Sequence, residues 1–215
     1  MTNHPLVGHS DVSAETFADT AHHGSTMSLT ISIRQAQREH LRDIRAINTE
    51  SAPGVSLLTS GDLNHIVQTA SVIWVALVNE QVAGYTIAFT PSAAYEGEEF
   101  GWFRSRVRDF LYIDQIAVAA SHRSRGIGAV LYEKLEQFAE RNQLWSLVCE
   151  VNMYPPNPGS MAFHKRRGFT EIERLGTADG RHVALLHKRL QATPGKITNA
   201  DQTFESGDAA LRRAI

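Results

Sequence analysis

The chain has 215 residues, 42% of them apolar and 20% charged, with a formal net charge of −2. That length suits one domain with a sizeable core, with or without tails, and the near-neutral balance gives no general reason to expect nucleic acid as a partner. The one cysteine, Cys149, excludes an internal disulfide and any multi-cysteine zinc site, and no apolar run approaches the roughly 20 residues of a membrane helix.

Residues 1–26 are rich in Thr, Ser, His, Asp and Gly and short of large apolar groups. Such a stretch buries too little surface to offset its ordering entropy, so it is expected to be a flexible extension or a short docked arm, and Met27 is a second candidate start. It lacks the basic start and apolar run of a signal peptide, so the expected location is the cytoplasm. The domain proper is expected over 27–190. From Met27 the sequence alternates as a strand. Leu41, Ile44 and Ile47 have amphipathic-helix spacing within 37–50, and Ser51-Ala52-Pro53-Gly54 breaks that helix. A short helix is expected over 61–70. The apolar runs 71–78 and 82–89 flank Asn79-Glu80 and read as a hairpin.

Residues 91–109 read as a long polar and aromatic loop in which Glu96, Glu98 and Glu99 form an acidic lip beside Phe100, Trp102 and Phe103. A strand over 111–118, a helix over 127–142 and a strand over 144–151 follow. Then come a stiff proline turn at 155–158 and a short helix over 160–167, closed by Gly168. A last hairpin is expected over 169–175 and 181–190, and residues 191–215 form a C-terminal extension with a small helix at 209–215. The order is mixed α+β. With more strands than helices and several hairpins, it is unlike a doubly wound parallel sheet.

The stretch from Ile116-Ala117-Val118 through Arg123-Ser124-Arg125-Gly126-Ile127-Gly128 carries the most information. A strand runs into a basic turn with two glycines, and the turn opens directly into a helix. Glycines let backbone N–H groups approach an anion, the helix N-terminus adds its positive dipole end, and the arginines suit phosphate oxygens. No Gly-Lys-Ser/Thr follows, as a Walker loop requires, and the dinucleotide fingerprint is incomplete.

These residues resemble the GNAT superfamily of N-acetyltransferases, whose signature is a strand, then Gln/Arg-x-x-Gly-x-Gly/Ala, then a helix. A second element of that family is also matched, by Asn157, Ser160, His164 and the closing Gly168-Phe169. The string from Glu150-Val151-Asn152 through Pro155-Pro156-Asn157-Pro158 to Ser160 is similar to a bacterial subgroup of acetyltransferases. The resemblance spans about residues 29–190. It implies a mixed, mostly antiparallel central sheet flanked by helices, whose fourth and fifth strands (111–118 and 144–151) splay apart to admit acetyl-CoA. By the same resemblance the pyrophosphate lies on Arg123, Ser124, Arg125, Gly126, Ile127, Gly128 and Ala129. The pantetheine arm lies along Ile116, Ala117 and Val118, with Asn157, Ser160 and Phe163 beside it.

The implied activity is transfer of an acetyl group to a primary amine of a small molecule or a peptide, with no metal. Direct attack on the thioester calls for a base, and an acid for the leaving sulfur. Many members of the family carry tyrosine where this chain has His164. The imidazole is therefore read either as a replacement acid or as a residue that packs or hydrogen-bonds the cofactor. Asp114 and Glu150 are the candidate bases, with a water chain as an alternative; Asp114 is expected to share a strand face with Tyr112 and Ile116. Cys149 reads as a small core residue. Two other readings are open on sequence alone: an acyl-CoA-binding sensor without turnover, and a protein holding another nucleotide on the same turn. A homodimer is compatible with all of them.

Overall fold

The computed structural model describes residues 13–17 and 29–191. An eight-stranded sheet runs in the order β1-β2-β3-β4-β5-β6-β8-β7. Its strands are β1 (Ser13–Phe17), β2 (Leu29–Gln35), β3 (Val72–Val78), β4 (Gln81–Phe89), β5 (Phe110–Val118), β6 (Ser146–Tyr154), β7 (Thr170–Gly176) and β8 (His182–Arg189). β1 lies in the stretch expected to be a tail or arm, and it pairs antiparallel with β2 along the sheet edge. The expected fourth and fifth strands are therefore β5 and β6. The expected C-terminal helix at 209–215 lies outside the described residues.

The helices are α1 (Leu41–Ser51), α2 (Ser60–Thr69), α3 (Glu98–Arg106), α4 (Ile127–Arg141) and α5 (Pro158–Arg166). Ile44, Ile47, Leu63, Ile66, Phe100 and Phe103, from the first three, pack one face of the sheet against Tyr85, Ile87, Phe89, Tyr112 and Val148. On the other face α4 packs Leu131, Tyr132, Leu135 and Ala139, which meet Leu111, Ile113, Leu147, Cys149 and the β2–β3 side chains Ile31, Ile33 and Ala76. Two apolar faces covered by helices make a three-layer domain with the sheet at its centre.

Residues 91–109, expected as a loop, contain α3. Phe100 and Phe103 are fully buried in a ring cluster with Phe89, Tyr95, Phe110 and Tyr112. The helix has acidic residues in its first turn and basic ones in its last, which complements its dipole. Two of the three acidic residues of the expected lip are accordingly tied into the fold. Glu99 is buried and paired with Arg181 at 2.9 Å, and Glu98 accepts a hydrogen bond from the Ala178 backbone N–H.

Every adjacent strand pair is antiparallel except β5 and β6. Those two are parallel and pair only at Phe110–Ser146, Leu111–Leu147 and Tyr112–Val148. Beyond Tyr112, β5 continues against β4 as far as Val118 and β6 continues against β8 as far as Tyr154, so the sheet opens into a wedge. A β-bulge lies at the mouth of that wedge. Ile87 faces Gln115 and Ala88 faces Ile113, which leaves Asp114 as the extra residue. The bulge reverses the alternation along β5: Tyr112 packs on the α1 side, whereas Ile116 packs on the α4 side. The expectation that Tyr112, Asp114 and Ile116 share a face is corrected by that inserted residue.

Candidate active site

The wedge is floored by a cleft of about 680 Å³. Of the residues expected to hold a cofactor, Ile116, Ala117, Val118, Arg123, Ser124, Gly126, Ile127, Gly128, Ala129, Asn157, Ser160 and Phe163 line it, together with His164. Arg125 is exposed and is not part of this lining.

The local chemistry explains the cradle. Gly126 sits at φ 81°, ψ −8°, immediately before α4, a left-handed conformation that costs most residues with a Cβ. Ser124 is also left-handed, at φ 61°. In the first turn of α4 the Ala129 N–H already donates to the Gly126 carbonyl at 2.9 Å, whereas the Ile127 and Gly128 amides have no carbonyl a turn earlier to bond and lie at the positive end of the helix dipole beside the cleft. A Cβ on Gly128 would lie 3.3 Å from the Phe163 ring, so glycine there lets α4 and α5 meet. Arg123 is partly committed to the fold, because its Nε donates to the Val118 carbonyl at 3.1 Å. Asn157 caps α5 by accepting from the Ser160 N–H at 3.1 Å.

The opposite wall is the 52–58 connection between α1 and α2. Buried Asn48 donates to the Ser56 carbonyl at 2.9 Å and to Gln115 Oε1 at 3.0 Å, and it accepts from the Leu58 N–H at 2.9 Å. The Tyr85 hydroxyl donates to the same Gln115 oxygen at 2.7 Å, and Gln115 Nε2 donates to Ser56 O at 3.0 Å. Asn152 then ties Pro53 O to β6 at 2.9 Å. Sequence reasoning missed Asn48, Tyr85 and Gln115; their signal is weak, since each is one polar residue within an apolar element.

Where the strands diverge, the cleft adjoins a smaller pocket of about 40 Å³, lined among others by Asp114, Glu150, Tyr132, Ser160, His164 and Arg181. Asp114 accepts from the Tyr95 hydroxyl at 2.6 Å and Glu150 from the Tyr112 hydroxyl at 2.9 Å. Burial pushes Asp114 up to about 6, although the Tyr95 bond works against it, and the Glu99 charge adds to the rise. Burial, followed by the charges of Glu99 and Asp114, holds Glu150 well above the usual carboxylate range. Burial likewise raises the Cys149 thiol, which leaves it a packed core residue.

His164 is buried, and burial lowers its pKa below the usual imidazole value. Nδ1 lies 2.8 Å from the Ser160 carbonyl, which can only accept, so Nδ1 carries the proton. Nε2, 2.6 Å from the Tyr132 hydroxyl, is then the acceptor of that hydroxyl's proton. Both ring nitrogens are thus engaged within the protein. The acid role expected of His164 would have to use the Nδ1 proton that the Ser160 carbonyl accepts. Tyr132 has no distinguishing signal in the sequence, where it reads as one more large residue of α4.

The model of the Acetyltransferase (GNAT) family matches residues 39–169, which takes in the cradle, the wedge and the capped helix α5. The chain belongs to the GNAT family of acetyltransferases. No protein of curated function matches it. Among solved structures, this GNAT protein is similar to Ard1 from Thermoplasma volcanium (17% identity, TM-score 0.62, 75% of this chain and 98% of that one). It is similar to the ribosomal-protein-S18-alanine N-acetyltransferase from Escherichia coli (17%, TM-score 0.58, 78% and 97%). It also resembles a chain of the NatC complex bound to Gag peptide and CoA (15%, TM-score 0.58, 75% and 99%). At these identities the likeness is one of fold, and acyl transfer is the chemistry that the family membership carries.

Proposed function

We propose that this GNAT protein transfers an acetyl group from acetyl-CoA to a primary amine by direct attack. The observation that carries the proposal is the cleft that joins the α4 cradle to the unpaired inner edge of β5, with Asp114 and Glu150 lining the smaller pocket that adjoins it. Residues 126–129 would hold the pyrophosphate, Ile116 to Val118 the pantetheine arm, and Asn157, Ser160 and Phe163 its far end. Acetyl-CoA supplies the activated acetyl group as a thioester. Solved relatives of this fold include one bound to CoA, which supports the choice of cofactor.

The chain's own residues have three tasks. Asp114, raised to about 6, is the base: a carboxylate poised near neutral pH takes up the amine's proton more effectively than an ordinary one. Glu150, raised by burial above the usual carboxylate range and accepting from the Tyr112 hydroxyl, lines the pocket beside Asp114 and leaves that role to it. The Ser160 hydroxyl, which lines both cavities, is placed to donate a hydrogen bond to the leaving sulfur. A thiol of ordinary pKa near 8.5 can depart as thiolate, so His164 need not give up its proton.

Thiol release from acetyl-CoA across a panel of primary amines, with calorimetric titration of CoA and of ATP, tests this reading. Micromolar CoA binding and amine-dependent release are expected. Tight CoA binding without release for any amine would make the protein a sensor, and binding of ATP in place of CoA would remove the assignment of the cradle.

A further inference from the structure

Resting on the acetyl-transfer reading above, we infer that the acceptor is a short, unbranched alkylamine bound as its ammonium, and not an amino acid or a polypeptide N-terminus. The size of the acceptor end comes first. Beyond the cofactor cleft only about 40 Å³ is open, room for about three or four water-sized groups. An amine with two or three carbons fills that space. A peptide would have to carry its backbone out through the wall.

That wall is closed by specific bonds. Asn152 and Arg181 both line the pocket. Asn152 donates to Pro53 O at 2.9 Å, and Arg181 reaches Asn152 Oδ1 at 3.4 Å and Glu99 at 2.9 Å. The chain of contacts runs from the 52–58 connection, across β6, to α3. Glu98 repeats the tie between α3 and the 177–181 turn through the Ala178 N–H. Three segments that could part to admit a polypeptide are thereby fastened together.

Chemistry decides between amines of similar size. Asp114 and Glu150 present carboxyl groups to the pocket, while Val55, Ile113, Ile116 and Cys149 give it apolar walls. Among the described residues lining it, Arg181 is the one cation, and Glu99 and Asp179 already hold its guanidinium at 2.9 and 2.7 Å. An ammonium head therefore finds an anionic partner and its methylenes find apolar contact. A substrate carboxylate would be buried beside two carboxyl groups with no free cation to meet it, a costly placement.

The test uses the full chain and three acceptors, ethylamine, glycine and tetra-alanine, following both thiol release and the mass of the acetylated product. The kcat/KM for ethylamine should exceed that for each of the others at least tenfold. Titration into the CoA-loaded protein should show heat for ethylamine and none for glycine. Faster release with glycine or tetra-alanine would overturn the inference and leave acetyl transfer standing. CoA binding with no release from any amine would overturn both. Asn152→Ala opens the wall without removing a charge, and it should raise the ratio of tetra-alanine to ethylamine kcat/KM at least fivefold. An unchanged ratio in the folded variant would refute the closed wall.

Discussion

Asp114 owes its position to one inserted residue in β5. Without the bulge, strict alternation would place it on the same face as Tyr112 and Ile116; with it, those two side chains point to opposite layers and the carboxyl group lines the opening of the wedge. Its raised pKa fixes the sign of the pH dependence. With Asp114 as the proposed base the active form is the carboxylate, and its fraction grows as pH rises through about 6. If the acceptor binds as ammonium, kcat/KM should fall about tenfold per pH unit below that point and flatten above it. Asp114→Asn should lower kcat at least a hundredfold and abolish this limb while leaving CoA affinity unchanged. A limb near pH 6 persisting in the variant would move the base elsewhere. Tyr132 and His164 predict the opposite pattern. Tyr132→Phe leaves a buried imidazole nitrogen without its donor, at a cost of about 1–3 kcal/mol. Denaturant unfolding should show that loss while kcat per folded molecule stays within about threefold. A hundredfold fall in kcat at unchanged stability would restore an acid role to the pair.

The elements differ in how far the sequence discloses them. The strands of the two hairpins and helix α4 are legible because their apolar periods are long and their turns carry distinctive residues. Asn79 and Glu80, for example, both adopt positive φ between β3 and β4. The strand-to-helix turn at 123–128 is legible because a left-handed residue before a helix calls for glycine, as Gly126 shows. α3 is not, since Gly101 lies within it and its polar and aromatic residues mix around the helix. The acidic start, the basic end and the spacing of Phe100 and Phe103 were the available signals. Pairing across the sequence is harder still: nothing local in Glu99 announces Arg181, and nothing in Asn48 announces the 52–58 connection. That connection has a testable consequence. Asn48 is fully buried and bonds four groups, Ser56 O and Leu58 N–H in the cleft wall and the Tyr85 hydroxyl and Gln115 Oε1 beneath it. Asn48→Ala strands several of them, so we expect a loss of about 2–3 kcal/mol in denaturant unfolding. The KM for acetyl-CoA should rise severalfold as the wall loosens; an unchanged KM would show that the connection holds its shape without Asn48.

At the scale of the molecule, the cleft exists because the sheet is incomplete. β5 and β6 share three residue pairs and then part, leaving backbone along the wedge that neither strand satisfies for the other. Helices α4 and α5 and the 52–58 connection surround the opening without closing it. A ligand that fills the wedge therefore joins the two halves of the sheet, and it should stabilise the folded state by mass action. At a hundredfold excess over Kd the linkage is about 2.7 kcal/mol, which for a domain of this size corresponds to a rise in Tm of about 5–11 °C. Gly126→Glu should abolish most of that rise. It forces a side chain into a left-handed position and sets a negative charge where the pyrophosphate is assigned. No neighbouring atom lies within 4 Å of the added Cβ, so the variant should fold, with its ligand-free Tm lowered by no more than a few degrees. Differential scanning calorimetry with and without CoA separates the two effects. A full CoA-induced shift in Gly126→Glu would mean that the wedge is stabilised from somewhere other than the α4 cradle.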